Sequence, residues 1–66
     1  MKATINGESH DVGAGATLER ILADLQIPPK GTAVAVNDRV VPRTEHASYT
    51  VREGDRIEII VAVAGG

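Results

Sequence analysis

The chain has 66 residues, a formal charge of −2, no cysteine and a single aromatic residue, Tyr49. A chain of this length holds one domain and one small core, near the lower limit for folding alone. These facts exclude a disulfide framework and thiolate chemistry. With seven Lys and Arg residues scattered along the chain, they also argue against nucleic-acid binding.

Met1 to Ile5 alternates, with Met1, Ala3 and Ile5 on one side, and predicts a half-buried strand. Asn6-Gly7 follows as a hairpin signal, because both central turn positions need positive φ. Glu8 to Val12 is the return strand, weakly alternating and therefore an edge. Gly13 to Ala16 crosses to a helix capped by Thr17. Leu18, Ile21, Leu22 and Leu25 form its apolar stripe, over about two and a half turns. Pro28-Pro29 is expected to stop it.

Ala33 to Val36 predicts a short strand, Asn37-Asp38 a turn, and Val40-Val41 an extended segment that Pro42 confines to an edge. Thr44 to Ala47 suggests one helical turn capped by Thr44. Glu53-Gly54-Asp55 is a tight turn with Gly54 as its left-handed residue. Arg56 to Val61 is the last strand, with Ile57, Ile59 and Val61 on one face and Arg56, Glu58 and Ile60 on the other. One helix covers one face of a small sheet, so the order predicts an α+β layout: a mixed sheet of four to five strands wrapped on one main helix. The expected division is a domain over residues 1–61 and a flexible tail over 62–66.

That tail reads Ala62-Val63-Ala64-Gly65-Gly66. Five extended residues reach roughly 17 Å, enough to enter a partner's active site. Two glycines pass a narrow channel easily and leave the last carbonyl carbon unhindered. A carboxylate is a poor electrophile, so acyl chemistry at Gly66 requires activation. Attack on the α-phosphate of ATP gives an acyl adenylate, from which sulfide or a persulfide displaces AMP and leaves a thiocarboxylate. A frayed end or a cloning remnant is the bland alternative, and the approach through Val61-Ala62-Val63-Ala64 is not linker-like.

The sequence resembles the ThiS family of sulfur carriers of thiamin thiazole synthesis. The resemblance covers the whole chain and rests on four pieces. They are Met1 to Gly7, Val36-Asn37-Asp38-Arg39-Val40-Val41-Pro42-Arg43, Glu53-Gly54-Asp55-Arg56-Ile57-Glu58-Ile59 and the closing Ala62-Val63-Ala64-Gly65-Gly66. It implies a β-grasp, ubiquitin-like fold. It implies a protein cosubstrate that is not itself an enzyme and binds no cofactor. A ThiF-type partner using ATP would adenylate Gly66, which would become a 1-thioglycine and pass its sulfur to a ThiG-type thiazole synthase. The related MoaD-like small subunits deliver sulfur for molybdopterin instead. They tend to be longer, richer in aromatics, and to carry prolines before the final residues, which this chain does not. A noncovalent β-grasp interaction module and ubiquitin-like conjugation to lysines are the remaining alternatives.

Gly65, Ala64 and Val63 are the residues expected to thread into a partner, and Ile60 is a candidate interface residue. For Ile60, exposure to the activating enzyme and burial under the Val40–Tyr49 segment both stay open. Arg39, Arg43 and Arg56 are expected to be ordinarily solvated. His10 and His46 are expected at the surface, without the spacing of a metal site. Nothing places Asp38 and Glu45 in a cleft, and Gly13-Ala14-Gly15 lacks the continuation of a phosphate loop. No apolar run approaches a membrane span of roughly 18 residues. The N-terminus lacks the apolar core of a signal peptide. A cytoplasmic protein, monomeric alone and without membrane or nucleic-acid partners, is the expectation.

Overall fold

The first hairpin follows from its turn. β1 (Lys2–Ile5) and β2 (Glu8–Asp11) pair antiparallel, with Ile5 opposite Glu8. Asn6 and Gly7 between them have φ of 50° and 84°, the left-handed pair that a two-residue hairpin requires. The computed structural model describes residues 1–61. The expected tail over 62–66, with Val63, Ala64, Gly65 and Gly66, lies outside the described residues.

The helix α1 (Leu18–Asp24) begins where its cap predicts. The Thr17 hydroxyl accepts the Arg20 N–H at 3.2 Å, and the Thr17 carbonyl accepts the Ile21 N–H at 3.0 Å. The Leu18 and Glu19 N–H groups donate to the carbonyls of Tyr49 and His46, each at 3.1 Å. The first three N–H groups of the helix, which have no acceptor within it, are thereby satisfied, and Ile21 makes the first intrahelical bond.

The helix stops earlier than the prolines suggest. Gln26 adopts φ of 59°. The Gln26 N–H reaches the Ala23 carbonyl at 3.0 Å and the Ile27 N–H reaches the Leu22 carbonyl at 2.9 Å. This is a complete Schellman stop, with glutamine in the seat usually held by glycine. The helix is therefore seven residues, about two turns, and Leu25 is its exposed C-cap and not the fourth core residue of the stripe.

β3 (Thr32–Val36) and β4 (Arg39–Val41) form the second hairpin, turned by Asn37 and Asp38 with φ of 51° and 69°. Pro42 follows the strand and occupies the N-cap of a single 3-10 turn, Arg43–Glu45. The expected helical turn thus starts one residue early, and Thr44 lies inside it without capping it. Gly54 has φ of 83° in the turn before β5 (Arg56–Val61).

The strands form one five-stranded sheet in the order β2-β1-β5-β3-β4. β5, the last strand among the described residues, is the central one. It runs parallel to β1 and antiparallel to β3, which makes the sheet mixed. Ala3, Ile5, Val34, Val36, Val41, Ile57 and Ile59 bury one face of the sheet with Leu18, Ile21 and Leu22 of the helix and Val51. The expected α+β arrangement of one main helix on a mixed sheet is the observed one. Val61 shares the core side of β5 by alternation but is 49% exposed.

Replacing Gln26 by glycine should relieve the left-handed strain and leave the Schellman bonds in place. Allowing for the larger chain entropy of glycine, the expected gain is on the order of 0.5–1 kcal/mol in a urea melt.

Candidate functional site

The open face of the sheet is set by the same alternation that builds the core. On β5, Ile57 and Ile59 point inward, which turns Ile60 outward. Ile60 is 64% exposed, which removes the reading of burial left open by the sequence. It is not covered by the Val40–Tyr49 segment. Register then gives it neighbours: Ala33 lies beside Ile60, and Ala35 lies between Glu58 and Val40. Val40 is itself 75% exposed. Ile60, Ala33, Ala35 and Val40 therefore form an apolar strip across β5, β3 and β4, with two small residues between two larger ones.

The sequence pointed to Ile60 alone. The signal for Val40 was present in the two-residue turn, which fixes Val36 opposite Arg39 and hence Ala35 opposite Val40. Ala33 needed the pairing of β3 with β5, which no local signal specifies.

Two of the segments that carried the resemblance meet at the start of β5. The Asn37 Nδ2 donates to Asp55 Oδ1 at 3.0 Å, and the Arg52 N–H donates to Asp55 Oδ2 at 2.8 Å. Asn37 Oδ1 accepts the Arg56 N–H at 2.9 Å, while the Asn37 N–H donates to the Arg56 carbonyl at 2.8 Å. Asp55 is buried, and its carboxylate is satisfied by these donors. The β3–β4 turn is thus locked to β5, which holds Val40 and Ile60 on one surface. Arg56 and Asp38 add an ion pair at 3.0 Å, too exposed to contribute much.

Arg39 and Arg43 are exposed, as expected. His10 is half-buried, with Nε2 at 3.9 Å from Glu8. His46 corrects the sequence reading, since it is 3% exposed. Its Nε2 donates to the Val41 carbonyl at 3.0 Å, and its Nδ1 is shielded without a hydrogen-bond partner. Packing of the 3-10 turn against the helix N-terminus buries the ring, a long-range consequence that neither histidine's sequence context shows.

A depression of about 300 Å³ beside His46 is lined by Glu19, Leu22, Ala23, Ile27, Pro29 and Arg43. Its histidine is buried, with Nε2 held by the Val41 carbonyl, and no Ser, Thr or Lys side chain lines it. Among the described residues, no group of three or more His, Asp or Glu side chains is placed to hold a metal. No helix among them is long and apolar enough to cross a membrane. What the surface does offer is an apolar strip on a rigid sheet, on the strand that leads to residues 62–66.

The ThiS family model matches residues 2–66. The chain belongs to the ThiS family. It is similar to the sulfur carrier protein ThiS of Escherichia coli K12, at 33% identity over 66 residues and the full length of both chains. The crystal structure of the thiamine biosynthesis protein ThiS from Geobacter metallireducens superposes with a TM-score of 0.84 at 26% identity, again over the whole of both chains. The ThiS-like sequence also matches a thiazole synthase of Paramagnetospirillum magneticum, at 36% identity over 66 residues. There the chain spans only 20% of the relative's length. The β-grasp fold that the resemblance implied is the fold of the ThiS structure.

Asp55→Ala should strip the acceptors from Arg52 N–H and the Asn37 amide, leaving both donors unpaired. The expected loss is about 2 kcal/mol of unfolding free energy, measurable as a lower urea midpoint with an unchanged slope.

Proposed function

We propose that this ThiS family member carries sulfur for thiamin thiazole formation as a thiocarboxylate on Gly66. The sulfur-carrier role rests on the family match, which runs through residue 66. That match is the observation on which the proposal stands, and it favours a thiazole acceptor over a pterin.

The chemistry proceeds in two displacements. A Gly66 carboxylate oxygen attacks the α-phosphorus of ATP in a ThiF-type partner, forming a mixed anhydride and releasing pyrophosphate. Sulfide then attacks the acyl carbon, forming C–S as C–O breaks and AMP leaves. If the donor is a persulfide, the product is an acyl disulfide, and reduction by a thiol frees the thiocarboxylate. The chain itself contributes the acyl end, a narrow lead-in through Val63, Ala64 and Gly65, and no cofactor. Residues 62–66 act as the tail and residues 1–61 as the body that the partner grips.

The recipient of the sulfur is a ThiG-type thiazole synthase. Support comes from the thiazole synthase of Paramagnetospirillum magneticum, part of whose own chain is similar to this one. Ile60, with Ala33, Ala35 and Val40, docks on the ThiF-type enzyme. Its place on β5, one residue before the end of the strand, lets docking and tail entry occur together. The carrier works as a monomer in the cytoplasm, where ATP is at hand and a cysteine-free chain meets no oxidative constraint.

Incubation with an active ThiF-type enzyme, ATP and a sulfur donor should raise the mass of the chain by the difference between one sulfur and one oxygen atom. Deleting Gly66 should abolish that gain while circular dichroism stays unchanged. A wild-type chain that gains no mass beside a demonstrably active partner overturns the proposal. Ile60→Glu removes an apolar contact of about 1.5–3 kcal/mol, so the KM for the carrier should rise about tenfold or more. The melting temperature should hold, because the side chain is exposed in the free domain.

A further inference from the structure

The parallel pairing of β1 with β5 ends in an unusual way. Its regular rungs are Thr4 N–H to the Asp55 carbonyl at 2.9 Å and Asn6 N–H to the Ile57 carbonyl at 2.9 Å. The next rung of a parallel ladder would use the Asn6 carbonyl and the N–H two residues later. The hairpin turn has by then carried the main chain away from β5 towards β2. The Asn6 side chain fills the gap. Its Oδ1 accepts the Ile59 N–H at 2.8 Å, and its Nδ2 donates to the Ile59 carbonyl at 3.2 Å. A carboxamide thus stands in for a peptide unit, across 53 residues of sequence.

The turn alone does not explain this residue. A left-handed φ of 50° is met by asparagine, aspartate and glycine. Only asparagine among these presents a donor and an acceptor side by side, as a strand would. The clamped residue is also well placed. Ile59 sits immediately before the exposed pair Ile60 and Val61, after which the chain continues to its last five residues. On the side of β5 that faces β1, the ladder among the described residues ends at this side chain.

We infer that Asn6 is a positioning residue, whose carboxamide docked on the main chain of Ile59 sets the direction in which the chain leaves the sheet towards Gly66. The inference rests on the reading of Gly66 as the working end. Asn6 touches no reacting atom. It acts through Ile59, by holding the end of β5 in line so that a docked Ile60 and an entering tail fit one partner at once.

Two variants separate this role from turn formation. Asn6→Gly keeps the left-handed turn and removes the clamp. Asn6→Asp keeps an acceptor for the Ile59 N–H and loses the donor to the Ile59 carbonyl. In Asn6→Gly, amide exchange at Ile59 should quicken about tenfold, the loss of roughly one net hydrogen bond, while exchange at Ile57 stays as in the wild type. The residual dipolar coupling of the Val61 N–H should change. In adenylation assays with the ThiF-type enzyme, the KM for the carrier should rise by about the same tenfold factor while kcat holds, with Asn6→Asp between. A merely structural role would speed exchange at all core amides together and leave KM unmoved. Unchanged exchange at Ile59, an unchanged Val61 coupling, or a wild-type KM in Asn6→Gly each overturns the inference. If the wild-type chain is never charged, the Gly66 reading fails by itself, and the exchange and coupling measurements still decide whether Asn6 aims the strand.

Discussion

The sheet is built on β5, the last strand among the described residues. β5 lies between β1 and β3, so the N-terminal hairpin and the β3–β4 hairpin have no contact through the sheet except by way of it. Its inward side chains, Ile57 and Ile59, are buried among the helix residues and both hairpins. The polar contacts concentrate there as well. Asn37 and Asp55 fasten its beginning, and Asn6 fastens the stretch before its end. Two turn asparagines, far apart in sequence, thus each accept a main-chain N–H of one strand, Asn37 from Arg56 and Asn6 from Ile59.

This arrangement explains how so small a domain presents a defined surface. A helix of two turns and a core of aliphatic residues give little thickness. A flat sheet face with Ile60 and Val40 raised beside two alanines needs no thickness. It needs register, and register is what the type I′ turns and their asparagine contacts supply. The single-residue alternation of β5 sends neighbouring isoleucines to opposite faces, Ile59 into the core and Ile60 to the open surface.

Much of this was legible in the sequence because it is local. Asn6-Gly7 and Asn37-Asp38 announce their turns, Thr17 its cap, and Pro42 its edge strand. Leu25 and the helix end were misjudged for one reason. The adjacent prolines are the louder signal, yet Gln26 in a left-handed conformation ends the helix before they act. His46 was misjudged because burial of its ring depends on where the 3-10 turn packs, beneath the first turn of a helix more than twenty residues away in sequence. The apolar strip was half legible. Alternation gave Ile60, the hairpin register held Val40, and only the long-range pairing of β3 with β5 joined them. The side-chain rung made by Asn6 was hidden behind the turn that the same residue announces.

The central place of β5 also bears on the life of the protein in a cell. A chain broken off anywhere before Val61 lacks part of the middle of its sheet, leaving two hairpins and a short helix with no common support. The sheet therefore closes only once the stretch directly ahead of residues 62–66 has been made, which ties assembly of the body to synthesis of the strand at its middle.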